Sequence, residues 1–308
     1  GLKIGRMLSG PFGTSYLDTV QHADRIIWTP SMLASGPWST VFKYTKGFEG
    51  DGLTPTVGGV ANTVTDQDSD GYEFDLFHKG ESGLAFSRIY YTDDQRTANR
   101  SVETWGLTVG GNYKLATLYI NAEVDYKWGD DETEGAASID IDKLAAFAQV
   151  GTKMGALDLS GMYFYASGDD GEDADEDSAV GALGNEFEPY YIMTGSHAGL
   201  FNGEVYAIDG DATNAGIHSL GVHANYAMSE KLMLHGAAAY HMAADEQATW
   251  DDELGIEYNV GAAYKLLDNM TYEVHFGWLD TGDFFKGANS AGETEDVWLA
   301  SNHLTMTF

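Results

Sequence analysis

Apolar and polar residues alternate along most of this chain with a period of two. Ile256, Tyr258, Val260, Ala262, Tyr264 and Leu266 interleave with Glu257, Asn259, Gly261, Ala263 and Lys265. Met270, Tyr272, Val274, Phe276 and Trp278 interleave with Thr271, Glu273, His275 and Gly277. Ala122, Val124, Tyr126 and Trp128 do the same with Asn121, Glu123, Asp125 and Lys127. Successive side chains of a strand point to opposite faces, so each run is a strand with one apolar and one polar side. In the last stretch Phe308, Met306, Leu304, Ala300 and Trp298 share a face against Thr307, Thr305, His303 and Ser301, with Asn302 interrupting the apolar row. The pattern predicts about fourteen strands, near 1–8, 23–32, 37–47, 70–80, 82–92, 104–114, 115–128, 144–153, 157–167, 217–228, 232–243, 256–266, 270–280 and 295–308. Two are poorly defined: 82–92 has apolar residues in both registers, and 144–153 is nearly all small or apolar.

The connections alternate in length. Short turns fall at Ser31–Pro37, Lys79–Ser82, Lys114–Leu115, Met154–Leu157, Met228–Lys231 and Leu267–Met270. Long ones fall at 9–22, 48–69, 93–103, 129–143, 168–216, 244–255 and 281–294. Short turns on one rim and long loops on the other form the pattern of an outer-membrane barrel. A soluble sandwich or jelly roll also has many alternating strands, but has little use for charged residues on the inner side of nearly every one. In a membrane barrel, lipid covers the apolar face and a water-filled lumen takes the polar one. The expected fold is therefore all-β: a transmembrane antiparallel β-barrel, one domain over 1–308, with short periplasmic turns and long acidic extracellular loops. In that phase the final strand runs back to the periplasm and Phe308 lies at the periplasmic rim.

Two stretches carry a family resemblance. A terminal Phe308 closing an alternating strand resembles the bacterial outer-membrane porins, whose last strand typically ends in Phe and is read by the barrel-assembly machinery. Gly5-Arg6-Met7-Leu8-Ser9-Gly10-Pro11-Phe12-Gly13, then Asp18, then Ala23-Asp24-Arg25-Ile26, resembles an internal porin segment. There a strand carrying Gly-Arg-Gln leads into the loop that folds into the pore; here Met7 replaces the Gln. The resemblance covers 1–30 and 296–308 in motif and most of the rest in pattern. It implies a general-porin-like barrel in the Gram-negative outer membrane, in contact with lipid and lipopolysaccharide, and a homotrimer with one barrel per subunit. It also implies that 9–22 is a constriction loop. Further strands precede this segment in such porins, so sixteen to eighteen strands, with an N-terminal part missing, stands beside fourteen as an expectation.

Composition narrows the classes. Gly 38, Tyr 18 and Phe 14 with only Pro 5 suit a large antiparallel sheet with aromatic girdles at the membrane interfaces. No apolar run is long enough for a membrane-spanning helix. Cys 0 excludes a disulfide framework and cysteine catalysis. A net charge of −32 argues against free nucleic acid as a partner, which needs a basic face. Roughly two-thirds of the carboxylates lie between strands, so they solvate the surface or form an acidic vestibule that concentrates cations at a pore mouth.

Most basic residues fall in the first third. By parity Lys3, Arg25, Lys43 and Lys79 face the lumen. Arg6 and Arg88 lie in strands of mixed register and join the list because a charge facing lipid at mid-depth costs roughly 2–4 kcal/mol. Asp18 and Asp24, in or beside loop 9–22, would oppose this basic wall, and opposed charges make a transverse field that tunes selectivity. Glu123, Glu273 and His275 complete the expected pore lining. The densest acidic run gives Asp169, Asp170, Asp173, Asp175 and Asp177 as weak candidates for a divalent cation such as Ca²⁺, although their spacing is not that of an EF-hand. Otherwise no metal or other cofactor is expected. The 168–216 connection is too long for a simple turn and is placed over or inside the mouth, with Glu188-Pro189-Tyr190-Tyr191 as an ordered turn or short strand within it.

By parity His223, His235, His241, His275 and His303 point inward. His235 and His241 are about 20 Å apart along one strand and cannot share a metal. As ordinary lumen residues they titrate near neutrality, which allows a pH-sensitive pore. A hydrolase needs a serine, a base and an orienting group at one place. His218-Ser219 and Ser196-His197 are adjacent, so their side chains diverge if they lie on strands, and small inward residues favour an open lumen over a filled enzyme barrel. No catalytic residue is assigned. The function expected is an outer-membrane porin, a passive diffusion channel for ions and small hydrophilic solutes that prefers cations. Alternatives are a substrate-specific channel, for an oligosaccharide or similar, and a structural or adhesive barrel with cation-binding acidic loops.

Overall fold

The structure, a computed structural model, describes residues 1–8, 12–14, 16–17, 22–30, 36–50, 67–97, 99–171, 173–181, 183–184, 187–194, 215–245, 250–287 and 292–307. The strands are β1 (Leu2–Leu8), β2 (His22–Trp28), β3 (Trp38–Gly50), β4 (Gln67–Gly80), β5 (Gly83–Asp94), β6 (Arg100–Leu115), β7 (Leu118–Thr133), β8 (Ile139–Met154) and β9 (Leu157–Ala166). They continue with β10 (Glu176–Asp177), β11 (Ile217–Ala227), β12 (Leu232–Met242), β13 (Glu253–Leu267), β14 (Met270–Thr281) and β15 (Val297–Met306). All but β10 lie side by side in chain order, each antiparallel to the next. The two-residue β10 lies outside this series and pairs parallel with β8. Among the described residues no pairing joins β1 to β15.

Each strand read from alternation is present. The main difference is length: β6 starts at Arg100, β7 runs to Thr133 and β8 starts at Ile139. The backbone ladder continues past the point where apolar alternation stops, because its hydrogen bonds do not need apolar side chains. The turn expected at Lys114–Leu115 falls at Ala116 and Thr117 instead. Leu115 pairs with Leu118, and Ala116 takes φ 57°, the sign a two-residue hairpin turn demands.

The register separates two faces. On one, Trp28, Phe42, Phe74, Ile89, Leu107 and Tyr126 form a continuous row across six strands. Beside it runs Ile26, Tyr44, Tyr72, Tyr91, Trp105 and Trp128. Val274, Phe276 and Leu304 on the same face are 42%, 47% and 61% exposed. On the other face Arg25, Asp75, Thr108, Glu123, Glu257 and His275 are buried. A protein folded in water would reverse this assignment; an outward apolar belt suits lipid. The polar face is buried because the core lies inside the curl of the sheet, where Tyr16, Phe147, Phe164, Phe187, Tyr190 and Ile192 cluster.

Candidate functional site: the inner face and two in-folded segments

Two connecting segments enter the curl. The first, 12–17, leaves the β1–β2 connection and crosses to β4–β9. Phe12 packs edge-on to Phe77 and Phe86, with the Arg88 guanidinium 3.6 Å over its ring. Thr14 donates its backbone N–H to Glu123 Oε2 at 2.6 Å. Gly13 takes φ +72°, and a Cβ there would sit 2.5 Å from the same carboxylate oxygen, so this close approach requires glycine. Tyr16 is stacked on Phe147, edge-on to Phe187, and donates its hydroxyl to the Tyr165 carbonyl. Burial holds its phenol well above the ordinary range, so it stays a neutral donor.

The second segment, 187–194, belongs to the 168–216 connection. Ile192 and Met193 donate their backbone N–H groups to the two oxygens of Glu257, each at 2.8 Å. Glu257 has no exposed surface. Tyr190 stacks on His223 and lies edge-on to His241. Pro189–Thr194 forms bends rather than a strand, closed by Tyr190 N–H to Thr194 Oγ1 at 3.1 Å. Burial pushes the Tyr191 phenol up to about 12. The segments meet where Gly184 donates its N–H to the Tyr16 carbonyl at 2.6 Å and Phe187 touches Tyr16.

The inner wall beside the first segment is charged. Lys43 lies 3.1 Å from Glu73 and 2.9 Å from Asp75; Arg88 lies 2.6 Å from Asp75 and 3.2 Å from Glu73. The carboxylates beside these cations therefore come from the same wall, whereas the sequence pointed to an opposing loop. Arg25 is inward and buried, giving its guanidinium to the Met7 carbonyl and Thr45 Oγ1. Lys3 shares this face, paired with Ile27 on the exposed first strand. Lys79 lines a cavity of about 610 Å³ near the short-turn rim, with Glu81, Asn112, Lys114, Lys153 and Asp158. Glu273 and His275 are inward on β14.

Arg6 and Asp24 are not on this wall. They pair with each other in the same parity as Leu2, Ile4, Ile26 and Trp28, which puts them on the outer face. Asp24 begins a row that continues through Lys46, Asp70, Asp93, Glu103, Asp130 and Asp140 on the long-loop side of the aromatic belt. Near an interface an outward charge costs only about 0–1 kcal/mol, so the mid-depth argument for turning Arg6 inward does not apply there. Asp18 and Phe308 lie outside the described residues.

In the acidic run, Asp177 pairs with Lys143 at 2.8 Å and Asp169 accepts from the Gly171 N–H. Asp170, Asp173 and Asp175 share that segment, and among the described residues no three His, Asp or Glu side chains converge as in a metal site. Sequence reasoning did not single out Tyr16, Glu257, Glu73 or Asp75. The available signals were Tyr190 and Tyr191 within an otherwise acidic connection, and the inward aromatics that confused two strand registers.

No family model and no curated protein matches the sequence. Solved structures do match. OccK5 (OpdH) of Pseudomonas aeruginosa aligns at TM-score 0.52 and 12% identity over 100% of this chain and 78% of that one. OccD1 (OprD) aligns at 0.51 and 10%, over 100% and 75%. OccK9 (OpdG) of Pseudomonas aeruginosa aligns at 0.50 and 16%, over 99% and 72%. With its outward aromatic belt and inward charges, the chain has the fold of these structures, an antiparallel β-barrel.

Proposed function

We propose that this protein is an outer-membrane channel through which ions and small hydrophilic solutes pass by diffusion, and that it prefers cations. The observation that carries the reading is the two-faced sheet: aromatic and aliphatic rows outside, ionised side chains inside. Segments 12–17 and 187–194 narrow the passage without a catalytic group, and no reaction is assigned. Cation preference is supported by the net charge of −32 together with the pairing of Lys43 and Arg88 by Glu73 and Asp75, which offsets the charge of those two cations. Residues Lys3, Arg25, Lys43, Lys79, Arg88, Glu123, Glu273 and His275 would line the path. Insertion into a planar bilayer should give stepwise conductance, and a KCl gradient a reversal potential displaced toward that of K⁺. Absence of steps would reject the channel, and displacement toward Cl⁻ would reject the preference.

The apolar contact between the two segments favours a second, narrower version, a channel selective for one solute class. Steps blocked by one solute at low concentration, and not by others of equal size, would distinguish it. Assembly as a homotrimer is proposed from the porin resemblance, and light scattering of the detergent-solubilised protein tests it.

A further inference from the structure

Six of the 16 basic residues stand at the short-turn end of the sheet: Lys3, Lys79, Lys114, Lys153, Lys231 and Lys265. Lys79 shares the parity of buried Asp75, Lys114 that of Thr108, Lys153 that of Phe147 and Lys265 that of Glu257, so these four face inward, as Lys3 does. Lys231 leads into β12 from its turn. Together they form an arc along the rim from β1 to β13. All six are exposed, and Lys79, Lys114 and Lys153 border the cavity of about 610 Å³ there. Lys153 pairs with Asp158 at 3.2 Å; among the described residues the other five make no ion pair. Of the 48 carboxylates, this end holds Glu81, Asp158, Glu230 and Asp268.

The long-loop end is the reverse. Lys46, Arg96, Arg100, Lys143 and Lys286 are each paired with a carboxylate there. Acidic runs such as 169–177 and 251–253 remain in excess around them. The two mouths therefore carry opposite signs. A charged mouth enriches its counter-ion and depletes ions of its own sign. With the loop side positive, K⁺ enters through the acidic mouth and Cl⁻ through the basic one, so both gather between the mouths. With the loop side negative, each ion first meets the mouth that repels it, and the interior is depleted. We propose that the six lysines form a second, anion-attracting filter at the short-turn mouth, and that the two opposed mouths make the channel a rectifier that passes more current when the long-loop side is positive. This inference rests on the channel reading. Cation preference at zero current follows the more heavily charged acidic mouth, so the two are compatible.

The test is the current–voltage curve of single channels of the purified protein in a planar bilayer, with equal KCl on both sides. The chain has no native cysteine, so biotin on Ala136→Cys, exposed in the β7–β8 turn, marks the loop side. Streptavidin in one chamber then disturbs the current only where the loops face it. At about 0.1 M KCl, the current with the loop side positive should exceed the reverse current about twofold or more, and the ratio should fall toward one at 1 M, where the Debye length is about 3 Å. Lys79→Gln/Lys114→Gln removes two exposed ammonium groups without an ion pair, so the fold should persist while the ratio drops. Lys79→Glu/Lys114→Glu should abolish the ratio and move the KCl reversal potential further toward that of K⁺. Equal currents in both directions, rectification of the opposite sense, a ratio that neither variant changes, or one undiminished at 1 M would each overturn the rectifier and leave the channel standing. Absence of conductance steps would reject both.

Discussion

Among the described residues, segment 12–17 meets Glu123 through the Thr14 N–H, while segment 187–194 rests on Glu257 through the Ile192 and Met193 N–H groups, one to each carboxylate oxygen. Both are the same solution to one problem. A loop folded into a barrel takes its amides away from water, and an inward carboxylate on the wall can accept them. The difference lies in what else holds each segment. The first has Phe12 against Arg88 and the Tyr16 hydroxyl on the Tyr165 carbonyl. The second places two adjacent amides on one side chain that has no exposed surface. Loss of Glu257 should therefore release more than loss of Glu123.

Glu257→Ala carries the largest expected effect. It leaves two buried amides without their acceptor, at about 1–3 kcal/mol each. Segment 187–194 should detach, giving larger single-channel conductance and a new protease cut there in the otherwise intact barrel. Glu257→Gln keeps one acceptor oxygen and should fall between. Glu123→Ala removes the acceptor of the Thr14 N–H, so about 1–3 kcal/mol is at stake at that amide and the conductance change should be smaller. If Glu123→Ala opens the passage more than Glu257→Ala, the ranking of the two anchors is wrong. Tyr16→Phe comes next. It loses one hydrogen bond, about 0.5–1.5 kcal/mol, while its ring stays among Phe147, Phe164 and Phe187. A slightly lower thermal midpoint with unchanged conductance is expected.

The same comparison explains what could be read from the sequence. Strands β13 and β14 alternate cleanly, and their positions followed from residue parity alone. The ambiguous strands 82–92 and 144–153 are those that serve the first segment. Phe86 and Phe147 turn inward against Phe12 and Tyr16, so their second apolar register is the seat of the in-folded chain. That seat depends on contacts between residues far apart in sequence, and a periodicity has no access to them. The inward histidines follow from parity, but the stacking of His235 on His275 needs the register across Gly261 as well. Arg6 was misplaced for a related reason: parity gives a face, while the cost of a charge there depends on its depth in the bilayer.

The smallest expected effect concerns the wall beside the first segment, and it asks whether solutes pass there at all. Lys43, Arg88, Glu73 and Asp75 carry two positive and two negative charges within a few ångströms. Lys43→Met leaves that group with one net negative charge, and Glu73→Gln leaves it with one net positive charge. If ions travel along this wall, the first should move the KCl reversal potential further toward that of K⁺ and the second should move it back. Screening sets the condition for seeing it. The Debye length is about 10 Å at 0.1 M and about 3 Å at 1 M, so the opposed shifts should appear in dilute salt and fade in concentrated salt. Opposed shifts that persist undiminished at 1 M would mean a rearranged lumen instead of an altered field. No shift from either substitution at 0.1 M would move the path away from this wall, toward the face of β12–β15 that carries the histidines.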